Sequence, residues 1–242
     1  MAGSGGGVEK FAREFAAEVT EADSPYEAEE FTRLALERLA DEAVFENPIV
    51  LMQEGSFGRG RYSISGYAIP DEEDRLTLFA TLYFGTLPPR PASAGELKQA
   101  AELAARFLWY SAQGLHEKIE PANTDASDLA RRLFDLSATA RISHLKVVVL
   151  TDGRVEGREV ELTGRDGTHV EVELFGIERL HRILGEGVSR EDIVVDLAEM
   201  GSGPLPCLDC GYEGDYRAYL VVVPGTLLAA AYDRYGTRLL EL

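Results

Sequence analysis

The chain has 242 residues, 45% of them hydrophobic and 27% charged, which suits one large or two small globular domains and excludes a disordered chain. Its formal net charge of −18 repels phosphate backbones and disfavours non-specific nucleic-acid binding, since the best basic candidates are only Arg59 and Arg61. No apolar stretch approaches a membrane span, and two cysteines are too few to staple a chain of this length, so the expected location is the cytoplasm, away from the membrane.

In chain order, residues 1–7 are Gly/Ser-rich and read as a flexible leader. Val8, Phe11, Phe15 and Val19 recur at helical spacing. Ser24, Pro25 and Glu27 supply a cap, a first-turn proline and a first-turn acid for a second helix, whose apolar face is Phe31, Leu34, Ala35 and Leu39. Phe57–Pro70 and Leu76–Phe84 flank the acidic turn Asp71–Asp74 and predict a β-hairpin. After Pro88, Pro89 and Pro91, one long amphipathic helix runs from Leu97 to Ile119, with Pro121 ending it. Asp125 or Ser127 caps a shorter helix carrying Leu129 and Leu133.

Val147–Leu150 is a continuous apolar run, as in a strand covered on both faces, and the turn Thr151-Asp152-Gly153 follows it. Val170, Val172 and Leu174 alternate with polar residues, which predicts a strand with one wet face. A helix carrying Ile177, Leu180, Ile183 and Leu184 comes next, then a strand from Ile193 to Leu197. Gly201–Gly214 reads as a loop holding both cysteines, Tyr219–Val223 as a last buried strand, and Thr226–Leu242 as a final helix that stays apolar to its end. No linker forces a domain boundary. Strands alternating with helices give an α/β class: a mixed β-sheet with helical cover.

Most local chemistry is incomplete. Cys207-Leu208-Asp209-Cys210 is a lone CxxC among acidic neighbours, and it reads as two free thiols. His116, His144, His169 and His181 are scattered and fit no ligand or catalytic motif. There is no Walker A sequence and no GxGxxG, so no cofactor is expected. Asp152 ends a buried strand, a position where α/β proteins place ligands, although Thr-Asp-Gly is also an ordinary turn.

The hairpin is the informative segment. In one nuclease architecture, of the PD-(D/E)xK restriction-endonuclease type, the first strand of such a hairpin carries an Asp and the second Glu/Gln-x-Lys. The acids hold Mg²⁺ and the Lys offsets charge in the transition state. Here the first strand reads Ile64-Ser65-Gly66-Tyr67 and the second Ala80-Thr81-Leu82. Ser65, Ala80 and Leu82 occupy the three catalytic positions, and none can bind a metal or supply positive charge. The expected core is therefore a degenerate restriction-endonuclease-like one.

An ordered series of stretches resembles the N-terminal region of the bacterial AIPR family, the abortive-infection phage-resistance proteins. It comprises Ile64–Tyr67, Leu76–Phe79, Val148–Gly153, Phe175–Leu180, Leu205–Leu208, Tyr219–Gly225 and Tyr235–Glu241, and it covers most of the chain from about Phe31 onward. The resemblance implies a nuclease-like domain over 8–225, and a helix over 226–242 leading into a C-terminal AIPR domain that this chain lacks. No catalytic residue transfers from the family. The first functional reading is a non-catalytic module that senses a phage component or holds a partner, either its own C-terminal AIPR domain or another protein. The second is an active nuclease that uses Mg²⁺ with relocated acids, Glu42 or Glu46 with Asp71 or Asp74. The third is a structural module that forms a homo-oligomer.

Overall fold

The computed structural model describes residues 4–22, 24–69, 75–120, 124–139, 142–155, 158–165, 167–185, 206–213 and 216–235. The expected strand at 193–197 and the end of the final helix, 236–242, lie outside these residues. The chain divides into two compact units, 1–189 and 190–242.

Unit one holds a five-stranded sheet in the order β1-β2-β3-β4-β5: β1 (Ile49–Phe57), β2 (Gly60–Ala68), β3 (Arg75–Leu82), β4 (His144–Thr151) and β5 (His169–Phe175). The first three strands run antiparallel in sequence, and β3, β4 and β5 are mutually parallel. The sheet is thus mixed, as the alternation of helices and strands predicts.

Helices cover both faces. One face carries α3 (Ala94–Ser111) and α4 (Thr124–Ala138), which bury Leu97, Ala101, Phe107, Leu129 and Leu133 against Leu76, Leu78, Val147 and Val149. The other carries α1 (Ser4–Glu21), α2 (Glu27–Asp41) and the short α5 (Ile177–Leu180), which bury Phe11, Phe15, Val19, Phe31 and Leu36 with Phe79, Val148, Leu150 and Phe175. The continuous run Val147–Leu150 is explained by this: alternate residues enter opposite cores.

The structure corrects several local expectations. Strand β1 has no counterpart in the sequence reading. It pairs with β2 through a two-residue turn, with Gly58 at φ +60°, and carries a bulge between Val50 and Gln53. Helix α1 starts at Ser4, inside the expected leader. Helix α2 has Tyr26 at its N-cap, without a side-chain cap, and buries Leu36 in addition to the expected face, on which Leu34 is only partly buried. Ser24 instead accepts the Tyr26 N–H at 3.2 Å.

The long helix stops at Ser111, because Gly114 turns left-handed (φ +89°) and a single 3₁₀ turn, Leu115–Glu117, carries Leu115 back into the core. Helix α4 begins at Thr124, so Asp125 and Ser127 lie inside it and do not cap it. The Ser127 hydroxyl donates to the His116 carbonyl at 3.3 Å. The helix expected at Ile177–Leu184 is α-helical only to Leu180, then widens into a π turn, His181–Gly185.

Unit two contains an antiparallel hairpin, β6 (Cys207–Glu213) with β7 (Tyr216–Val221), and α6 (Gly225–Tyr235). Both cysteine positions therefore fall on a strand, not a loop. The expected buried strand is exposed: Leu220 is 61% and Val222 65% accessible. Among the described residues, no helix is long and apolar enough to cross a membrane.

Candidate functional site

Ser65 and Leu82 lie on adjacent antiparallel strands of one hairpin. The registered pairs of β2 and β3 are Gly66–Phe79, Tyr67–Leu78 and Ala68–Thr77. Ile64 belongs to the α3-side core and Ala68 to the α2-side core, although an even separation should put both on one face. The alternation of β2 is thus broken near Ser65, opposite the bulge in β1.

This irregularity turns Ser65 inward. The residue is 2% exposed, and its Oγ accepts the Thr81 hydroxyl at 3.0 Å. Thr81 in turn lies 2.6 Å from the Thr32 hydroxyl of α2, which also contacts the Ala28 carbonyl at 2.7 Å. With one proton per hydroxyl, the chain runs Thr32 to Thr81 to Ser65, and Ala28 competes for the first proton. Ala80 is buried in the α3-side core and Leu82 packs against it. A Mg²⁺ ion does not fit these three positions, which offer one hydroxyl already hydrogen-bonded, one methyl and one isobutyl group.

Glu42 caps the end of α2 and Glu46 lies in the loop before β1, both exposed. Asp71 and Asp74 lie outside the described residues. His144 and His169 face each other across β4 and β5, with ring centroids 5.8 Å apart. His116 packs on Phe134 at 5.1 Å and His181 on Phe11 at 5.4 Å. Cys207 is an exposed free thiol. Among the described residues, no three His, Cys, Asp or Glu side chains come together as metal ligands would.

The carboxyl ends of β3 and β4 form a second locus. Thr151 donates its hydroxyl to the Leu82 carbonyl at 2.6 Å, and accepts the Gly153 N–H at 3.0 Å. Asp152 accepts the N–H groups of Phe84 and Gly85, each at 2.8 Å. A Cβ on Gly153 would lie 2.5 Å from the Phe84 ring and 2.9 Å from the Arg90 carbonyl, so only glycine fits. All three residues of Thr-Asp-Gly thus clamp the segment that leaves β3.

Burial raises the Asp152 carboxyl above its ordinary range, against the two N–H bonds and the positive field of Arg90. Tyr83 stands beside it. Burial, followed by the charges of Glu27 and Asp152 and a hydrogen bond to Glu27, pushes its phenol up to about 12. Tyr83 therefore stays a neutral hydroxyl. The Tyr83–Glu27–Asp152 grouping was not legible in the sequence beyond Asp152. The residues come from the start of α2 and the segments that follow β3 and β4, and only the fold unites them.

Residues 31–182 match the family of the abortive infection phage resistance protein N-terminal domain. The chain belongs to this family. The match takes in α2 from Phe31, the whole five-stranded sheet and α5, and it spans more than half of the chain. This abortive-infection domain therefore coincides with the sheet and most of its helical cover, while α1 and unit two lie outside the matched residues. No curated protein and no solved structure matches the chain.

Proposed function

We propose that this abortive-infection domain is a non-catalytic module of a phage-defence protein, built on a degenerate restriction-endonuclease-like core and acting by sensing or by holding a partner. The observation that carries this reading is the burial of Ser65 and Ala80, with Leu82 half-buried against the same core as Ala80. On this reading, the positions where a nuclease of that type places two metal-binding groups and a cation hold a buried hydroxyl, a buried methyl and a half-buried isobutyl group. A carboxylate at Ser65 would enter a buried hydroxyl chain with no counter-charge, at a desolvation cost of several kcal/mol. The net charge of −18 supports the same reading, because it lowers the local concentration of a polyanionic substrate.

The test is direct. Purified protein is incubated with plasmid, single-stranded DNA and RNA, in Mg²⁺ and in Mn²⁺. No cleavage above the buffer control is expected. Cleavage that co-purifies with the protein, and disappears when Glu42 and Glu46 or Asp71 and Asp74 are changed to Ala, would overturn the proposal and install an active nuclease with displaced acids.

A further inference from the structure

A cavity of about 150 Å³ opens between α1, α2 and the segment leaving β3. Its walls are apolar: Phe15, Val19, Phe31 and Ile177 are all buried. The rings form a contiguous cluster, with Phe15 edge-to-face on Phe31 at 5.5 Å and Phe31 tilted against Tyr83 at 5.4 Å. Its polar lining is of one kind. Glu27 and Asp152 contribute carboxylates, Tyr83, Thr20 and Thr86 hydroxyls, and among the described residues no Lys, Arg or His side chain lines it.

At the cavity's mouth stands Gly85, with φ +62° and no side chain to obstruct it. A Cβ there would lie 3.3 Å from the Tyr83 ring and 3.6 Å from Glu27 Oε2. The nearby cation, Arg90, is engaged elsewhere, over the Phe84 ring at 3.6 Å and on Glu96 at 2.7 Å.

We propose that this cavity binds a single organic cation, an ammonium or guanidinium head on a short alkyl stem. The head sits among Glu27, Asp152 and the Tyr83 hydroxyl, and the stem lies along Phe15, Val19 and Phe31. Carboxylates and aromatic faces both attract such a head, and the attraction grows as water is excluded. An anion would meet two carboxylates. A wholly apolar ligand would cover Glu27 without replacing the water it loses. The volume is well below the roughly 300–1,000 Å³ of drug-sized sites, so the occupant is no larger than one long side chain. It comes either from a free alkylamine or from a Lys or Arg of a partner. The inference is independent of the nuclease reading, since the cavity shares no residue with Ser65, Ala80 or Leu82.

Titration of the whole protein, followed by calorimetry and by amide chemical shifts, tests it. The probes are n-butylammonium, n-butylguanidinium, 1,4-diaminobutane, and the acetyl-methylamide derivatives of lysine and arginine. Butanol and butyrate are the controls. Saturable binding of cations alone is expected, with shifts at Tyr83, Gly85 and Thr86. Stronger binding of the capped amino acids assigns the head group to a partner's side chain, and stronger binding of the free amines assigns it to a small molecule.

Glu27→Gln removes a charge-assisted contact from an exposed position and should weaken binding by about tenfold or more. Ala16→Leu fills the cavity from a partly exposed helical site and should abolish binding while circular dichroism is unchanged. Absence of saturable cation binding overturns the proposal. So does equal binding by both variants, or equal binding of butanol and butylammonium.

Discussion

Thr32, Thr81 and Ser65 share their protons inside an otherwise apolar layer, and the middle hydroxyl serves both neighbours. Thr81→Val keeps the shape but removes a donor to Ser65 and an acceptor for Thr32. The expected loss is about 1–3 kcal/mol, the cost of stranding buried hydroxyls. Changing Thr32 and Thr81 to Val together with Ser65 to Ala leaves no stranded group among the three. That variant should lose clearly less than the sum of its single changes, and denaturant unfolding of the set reads the coupling directly. Equal and additive losses would show that the hydroxyl chain carries no energy of its own. The sequence exposed Ser65 as a departure from a nuclease pattern. It gave no sign of Thr32, because a threonine on a helix face is a weak signal until the fold places it against β3.

At the scale of elements, legibility followed regularity. Strand β5 and helix α4 have clean periods and β4 an unbroken apolar run, and each appears close to where the pattern predicts. Strand β1 does not, since its bulge between Val50 and Gln53 breaks the period of two on which such a reading depends. The hairpin bearing Cys207 was obscured by its glycines and acids, which usually mark turns.

Helix α3 shows the opposite case, a start signal fully used. Ser93 accepts the Glu96 N–H at 3.2 Å, while Glu96 accepts the Ser93 N–H at 2.9 Å. Ser93→Ala should cost about 1 kcal/mol. Bonds from the Ser93 hydroxyl and N–H, then from Arg90, lower the Glu96 carboxyl to about 2. A carboxyl lowered on folding stabilises above its unfolded pKa and loses that contribution as pH falls through the folded value. The cap's contribution should therefore be full near neutrality and decline from the ordinary carboxylate range down to about pH 2. Glu96→Gln should remove this dependence while retaining a side-chain acceptor, as urea unfolding across that range would show. A variant with the same acid slope as the parent would assign the dependence to other groups.

Across the whole molecule, the two units differ in what each can bury. Unit one contains both cores: one lies between α3, α4 and the sheet, the other between α1, α2, α5 and the opposite face. Every strand of the five-stranded sheet lies within it, and so does the entire family match. Unit two, in its described residues, is one two-stranded hairpin and one helix, with Leu208, Leu220, Val222 and Leu228 exposed. A two-stranded hairpin and a helix, the elements of its described residues, offer little apolar area to offset backbone entropy of about 1–2 kcal/mol per residue. The expectation is therefore asymmetric. Residues 1–189 made alone should be monomeric by light scattering and should unfold in one cooperative transition with a midpoint close to that of the whole chain. Residues 190–242 made alone should show no cooperative melt by circular dichroism. If 1–189 instead aggregates or melts without cooperativity, its two cores are insufficient by themselves, and the stability of the sheet depends on residues that follow it.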